Sequence, residues 1–386
     1  MSSLNHFERV AGRFLQYRAL VSRQGCGLLL ARVSCIFGVE VTTKRRDFLR
    51  LGAGTVTGVV AGSVGLLSWT PRAYAATIAV SLTARKGDIA QIDGVTVYMF
   101  GFSNTSLVAV PGPTIICQVG DSISLSLANT LSTPVVFAVT GTTIKVTVAA
   151  KSSTQYVFSV PAPGSYLYHD DQNNGVNRVM GLHGALVVMP AGVKTKAFVD
   201  GPTFKRQFKW ILGSADPVWG AAVKANGDAY VSSIAATTFK PRYFTINGSS
   251  YDRTHEPNTD LYGLYGEPAL VRILNAGGTV HSPHFHANHV EICSINRTNY
   301  SSNRKFKDVV SMFPKDCRDV IFPFKVPPDA WPAITTAVQN FPMHCHAEYS
   351  QTAGGGLYPH GMHCLISLGK TPTVESDVTL GVAALP

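Results

Sequence analysis

HSPHFH, residues 281–286, and HCH, residues 344–346, decide how the chain is read. On a strand, side chains alternate between faces, so positions i and i+2 point together and i+1 points away. His284 and His286 then share one face, and His281 has the opposite parity. His344 and His346 share a face, with Cys345 turned to the other. Two neighbouring strands of this kind offer four imidazoles on one side and an imidazole with a thiolate on the other. A thiolate with imidazoles and a weak axial Met suits an electron-transfer copper. The backbone of Cys345 runs directly into His344 and His346, so a covalent electron path links the two sides. One HxH alone is an unremarkable packing or surface pair, whereas the two clusters together point to metal. Zinc also accepts Cys and His, but structural zinc sites favour CxxC pairs, and the chain has none.

Outward from these clusters the pattern is short apolar runs between Gly, Pro, Asn and Ser turns. Thr77–Thr83, Thr96–Phe100, Ser122–Leu127, Thr143–Val148, Thr154–Val160 and Gly184–Met189 form one set. Phe208–Leu212, Tyr243–Ile246, Ala269–Leu274, Val290–Ile295, Val320–Val326 and His363–Leu368 form another. Most are rich in Val, Ile, Thr, Tyr and Phe and alternate with period 2, and no long segment shows a clean helical period. This spacing predicts an all-β protein of two β-sandwich domains, 76–190 and 200–386, joined by a linker. The stretch 214–262 reads as loop-rich. No GxSxG, P-loop or GxGxxG sits at a strand-to-helix junction, so hydrolase and nucleotide-binding chemistry lack support.

The chain has 386 residues, 45% hydrophobic and 15% charged, which excludes a disordered or fibrous protein. Its net charge of +10 is unevenly placed: residues 1–75 hold 10 of the 33 Lys+Arg and 3 of the 23 Asp+Glu. The rest is only weakly basic, which argues against a nucleic-acid partner. Residues 43–52 read TKRRDFLRLG, with Arg45 and Arg46 ahead of Phe48 and Leu49. A Gly/Ala-rich apolar run from Leu51 to Trp69 and an Ala73-Tyr74-Ala75 cleavage site follow. This order predicts a leader, 1–75, exported by the twin-arginine route to the periplasm or the exterior and cleaved before Ala76. The rival for the apolar run is a membrane anchor, but it is barely long enough to span a bilayer. No membrane span is expected in the mature chain. Residues 1–40 fit no element and read as a mis-assigned translation start.

At the histidine clusters the chain resembles the multicopper oxidases, the laccase-like family of repeated cupredoxin domains. HSPHFH is similar to that family's HxxHxH motif, and MHCHAEY (343–349) to its HCH motif. Pro111–Leu131, Ser165–Pro190 and Phe244–Tyr251 resemble the opening and closing strands of the first domain and the start of the last. The resemblance implies two Greek-key cupredoxin sandwiches with copper as cofactor. It implies a small-molecule or metal-ion reductant, oxygen as oxidant, and assembly as a homotrimer with sites shared between subunits. Carried over by position, Cys345 and His281 would hold a type 1 copper, His284 a type 2 copper, and His286, His344 and His346 a type 3 pair. The expected activity is an oxidoreductase in which electrons enter at Cys345 and pass through His344 and His346. They reach a second copper site facing the first domain.

The chain also departs from the family pattern. The first-domain HxH falls in Thr133–Gly141, which contains no His. The next motif reads His169-Asp170-Asp171, leaving His169 alone there. His183 is a candidate substitute ligand or else a strand-edge residue. Asp170 is a candidate proton relay or else part of a solvated loop. Five residues after Cys345 stands Ser350 where the family places His, so His360 is the candidate second imidazole and Met362 the axial ligand. The alternative to an oxidase is a non-enzymatic copper-binding or electron-transfer protein with an incomplete second site. Cys293 and Cys317 read either as a disulfide or as separate buried thiols.

Overall fold

The structure, a computed structural model, describes residues 75–251, 259–328 and 337–371. It also describes the backbone of three short strands outside those ranges. Two of them, β1 (Ala31–Ser34) and β2 (Glu40–Thr43), pair antiparallel within a unit of their own, Met1–Leu66. The twin Arg, the apolar run and the cleavage site up to Tyr74 lie outside the described residues.

In the larger unit, Leu67–Pro386, nine strands build a first sandwich. They are β3 (Thr77–Ala90), β4 (Thr96–Ser103), β5 (Thr114–Gln118), β6 (Ser122–Asn129), β7 (Val135–Val139), β8 (Lys145–Val148), β9 (Ser153–Ser159), β10 (Gly164–His169) and β11 (His183–Met189). One sheet is ordered β4-β3-β6-β9 and the other β5-β11-β10-β7-β8. Eleven more build the second: β12 (Arg206–Ala215), β13 (Tyr243–Ile246), β14 (Leu261–Gly263), β15 (Ala269–Asn275), β16 (Pro283–Phe285), β17 (Val290–Ile295), β18 (Thr298–Asn299), β19 (Lys305–Lys307), β20 (Cys317–Phe322), β21 (Gln339–Cys345) and β22 (His363–Leu368). Its inner sheet runs β13-β12-β15-β20-β17-β18, with β19 also on β17, and its outer sheet β14-β22-β21-β16. The third outlying strand, β23 (Gly381–Ala383), returns to pair with β5. Each of the four sheets is antiparallel but for one parallel pair: β3 with β6, β5 with β11, β12 with β15 and β14 with β22. Parallel neighbours cannot be joined by a hairpin, so each of these pairs requires a crossover connection.

The patterning explains the layers. In β6, Ile123, Leu125 and Leu127 are wholly buried while the alternate serines are half-exposed. Each such side chain contributes about 1.5–3 kcal/mol by leaving water. In β5, β11 and β15 every residue is buried, because their sheets are covered on both faces. Ile116, Val187 and Met189 of the first sandwich pack on Leu270, Cys293 and Ile321 of the second. A buried polar set lies in the same seam: Ser165 donates to Asp319 at 2.5 Å, and Arg272 donates to Ser165 at 3.0 Å and to Asp319 at 3.2 Å.

The stretch 214–262 holds more order than its composition suggests. A helix, Pro217–Asn226, starts with Asp216 accepting from the amides of Val218 and Trp219 and has Pro in its first turn. It buries Trp219 and Val223 in the core of the first sandwich. Among the described residues, no helix is long and apolar enough to cross a membrane.

Candidate metal centre

The outer sheet of the second sandwich brings the two histidine segments together. β16 pairs antiparallel with β21, placing Pro283 opposite Cys345, His284 opposite His344 and Phe285 opposite Met343. Phe285, Met343 and Cys345 are buried in the core beneath. Alternation turns His284 and His344 to the other face, where His286 and His346 join them. The four rings are neighbours, with centroids 4.5 Å apart for His284–His286 and His284–His346 and 5.3 Å for His286–His344 and His344–His346. His286 Nε2 lies 3.2 Å from His344 Nε2. One ligand atom from each of His284, His344 and His346 falls within 4.8 Å of the others.

This donor set fits copper. The buried Nδ1 atoms of His284 and His344 have no hydrogen-bond partner. Burial, then the neighbouring imidazoles, lowers the pKa of His284 and His344. Burial, then His346, does the same for His286. Neutral rings with free lone pairs are what a metal requires.

On the core side, Cys345 Sγ stands 3.9 Å from His281 Nδ1, and both residues are fully buried. The Ser282 amide donates to the sulfur at 3.1 Å, and the Cys345 amide donates to the Met362 carbonyl at 3.2 Å. Met362 is buried in the same core. Burial brings the His281 imidazole down to about 4. Its Nε2 pairs with Thr279 Oγ1 at 3.3 Å, leaving Nδ1 toward the sulfur. Phe244 and Tyr349 pack around the ring.

His360 is not brought to this pair. Among the described residues, no third His, Cys, Asp or Glu makes a group within ligand reach of Cys345 and His281. His360 Nδ1 is instead 2.9 Å from the Tyr251 carbonyl. The chain from Ser350 to Met362 closes on itself, with the Met362 amide donating to the Ser350 carbonyl at 2.7 Å and Gly361 to that of Gln351 at 3.0 Å. His360 is thereby carried out on the loop that this closure leaves.

Among the described residues, the first sandwich of the same chain contributes no residue to the histidine group. The quartet occupies the outer face of the outer sheet. His169 and His183 do face each other across β10 and β11, but their surroundings are those of a charged staple. His183 Nδ1 is 2.8 Å from the Arg178 carbonyl, and His169 Nδ1 is 3.8 Å from Asp171. Asp171 is also taken by Lys315 at 2.8 Å and by Arg178 at 3.5 Å. Burial drives both imidazoles down to about 4. Arg178 and Lys315 stand beside these rings, with the Asp171 carboxylate between them. Asp170 is held by the fold: its carboxylate accepts from the amides of Val136 and Gln172, both at 2.9 Å, and from the side chains of Asn177 and Gln172. It ties together a turn of the first sandwich.

Cys117, Cys293, Cys317, Cys345 and Cys364 are all free and buried. Cys293 and Cys317 are therefore separate thiols, and burial raises the latter to about 12. The sequence did not single out Thr279, Arg178, Phe244 or Tyr349. Thr279 lies only two residues before His281 but in a bend, where strand alternation gives no signal, and Arg178 is almost a hundred residues from the atoms it touches. A cavity of about 1120 Å³ opens beside His284 and His286, bordered by Phe285, Phe306, Phe341, Glu291 and Asp308.

Residues 94–192 match the multicopper oxidase family. None of the curated proteins matches the chain. A blue copper oxidase from Nitrosomonas europaea is similar at 19% identity and a TM-score of 0.61, over 76% of this chain and 86% of that one. The multicopper oxidase mgLAC is similar at 22% identity and 0.60, over 78% and 89%. A copper nitrite reductase from Nitrosomonas europaea is similar at 17% and 0.56, over 80% and 98%. The cupredoxin fold is common to all three.

Proposed function

We propose that this chain, which carries a multicopper oxidase domain at 94–192, is a copper-dependent oxidoreductase whose second sandwich holds two coupled metal positions. The observation that carries the proposal is the alternation of β21. Its Cys345 points into the core beside His281, and its His344 points out into the quartet. Copper, when bound, supplies one-electron redox chemistry, and the protein supplies geometry and potential. His281 and Cys345 would hold it on the inner side, and His284, His286, His344 and His346 on the outer side. Burial shields the inner pair from water, while the Ser282 amide fixes the sulfur. The Cys345 backbone gives electrons from a small-molecule or metal-ion reductant a short covalent route to His344 and His346. The outer rings are half-exposed in the single chain, and His284 and His286 border the cavity through which oxygen would enter.

The reading includes export by the twin-arginine route, supported by Arg45, Arg46 and the Ala73–Ala75 site. It also includes assembly as a homotrimer in which another copy covers the quartet. Mass spectrometry of the exported chain should find Ala76 at its start, and an intact Leu51–Trp69 run would refute export with cleavage.

One observation favours a second reading, a non-enzymatic copper or electron-transfer protein. Asp171 is neutralised by Lys315 and Arg178, so the first sandwich offers no prepared ligand set. Copper-loaded protein given a phenol or ferrous iron decides between them. Oxygen uptake that Cys345→Ser abolishes supports the oxidoreductase. Loaded protein without uptake supports the carrier.

A further inference from the structure

We propose that Arg178, in the first sandwich, is a positioning residue for His281 in the second. The inference rests on the reading of His281 as a metal-site residue. Arg178 is almost fully buried, yet its Nη1 is spent across the seam on the backbone carbonyls of Ala276, at 2.5 Å, and Gly277, at 2.6 Å. Those carbonyls begin the turn that delivers His281. Inside the turn, Asn275 accepts from the Gly277 amide at 2.9 Å and donates to the Thr279 carbonyl at 2.9 Å. Thr279 in turn pairs with His281 Nε2.

The turn has no slack. A Cβ added at Gly277 would stand 3.3 Å from His281 Nε2 and 3.2 Å from the Asn275 and Ser214 side-chain oxygens. Lys315 closes the ring from the far side, its amide donating to the Asn275 carbonyl at 2.8 Å and its Nζ to Asp171, which also faces Arg178. A buried guanidinium that gives up water needs such partners. Here they are two carbonyls whose position sets where His281 begins. The first sandwich thus acts on the inner metal position by holding its ligand's backbone.

The test uses hydrogen–deuterium exchange of the metal-free full-length protein and the visible and paramagnetic resonance spectra of the copper-loaded protein. Arg178→Gln should raise exchange in 275–282 about tenfold and weaken copper at Cys345 by about tenfold, the usual effect of losing a group that orients a ligand. Its thiolate–copper band should move. Arg178→Lys, which keeps a cation able to reach one carbonyl, should fall between Arg178→Gln and wild type. Ser165→Ala is the control, because it loosens the same seam at Arg272 and Asp319 without touching the turn. It should leave exchange in 275–282 and the spectrum unchanged. Wild-type exchange in both Arg178 variants, or equal acceleration in Ser165→Ala, would overturn the proposal. A wild type with no thiolate–copper band would retire the electron route, while the exchange result would still decide the role of Arg178.

Discussion

His183 sits wholly buried with Nδ1 on the Arg178 carbonyl, and its imidazole titrates near 4 in the fold against an ordinary 6.5. Between those values the unfolded chain takes up a proton that the folded chain refuses. Stability is therefore complete above about pH 6.5, falls as pH drops through the window, and levels off below about 4. The loss from this one ring is on the order of 3 kcal/mol. His183→Gln keeps an N–H donor but does not titrate, so urea unfolding at a series of pH values should show a shallower decline. An unchanged slope would contradict the assignment. At this scale the sequence was most legible where chemistry and parity coincide. Cys345, His281, His284 and His344 stand where alternation put them, because i, i+2 geometry survives any tertiary detail. The placements of His360 and Asp170 escaped it. Loop closure between Ser350 and Met362, and the saturation of a carboxylate by turn amides, are set by contacts that no local pattern encodes.

The strand β16 is only three residues long, so packing rather than ladder bonds must hold it. Phe285 does this, buried between His284 and His286, stacked on Trp210 at 5.4 Å and 6.1 Å from Phe322. Phe285→Ala should cost about 3–5 kcal/mol and scatter the rings on either side. Denaturant unfolding would measure the first effect and copper retention on dialysis the second. A destabilised variant that kept all its copper would mean that Phe285 packs the core without ordering the quartet. Period-2 runs such as Tyr243–Ile246, Val290–Ile295 and His363–Leu368 matched strands in the structure to the residue. Short strands with weak alternation, such as Lys305–Lys307, did not announce themselves. The helix Pro217–Asn226 was missed because only Trp219, Gly220 and Val223 are buried, too few to mark an apolar stripe.

At the scale of the molecule, two sandwiches meet along a seam that buries Arg272 and Asp319 together. Removing one partner leaves the other charge buried alone, so Asp319→Ala should cost about 3–5 kcal/mol, whereas replacing both with apolar residues should be far milder. Denaturant titration of the two variants would check this, and equal losses would contradict it. The fold class was readable from turn spacing and alternation. The stacking order of the four sheets was not, since residues such as Ile116 and Leu270 look alike whether they face a core or a seam. That order leaves Cys345 beneath the outer sheet and the imidazoles above it. The most direct test is copper content with paramagnetic resonance on wild type and Cys345→Ser. The account predicts more than one copper in wild type, and loss of the thiolate signal with one copper in the variant while imidazole-bound copper stays. A variant that kept every copper and its spectrum, or a folded wild type that took up none, would contradict it.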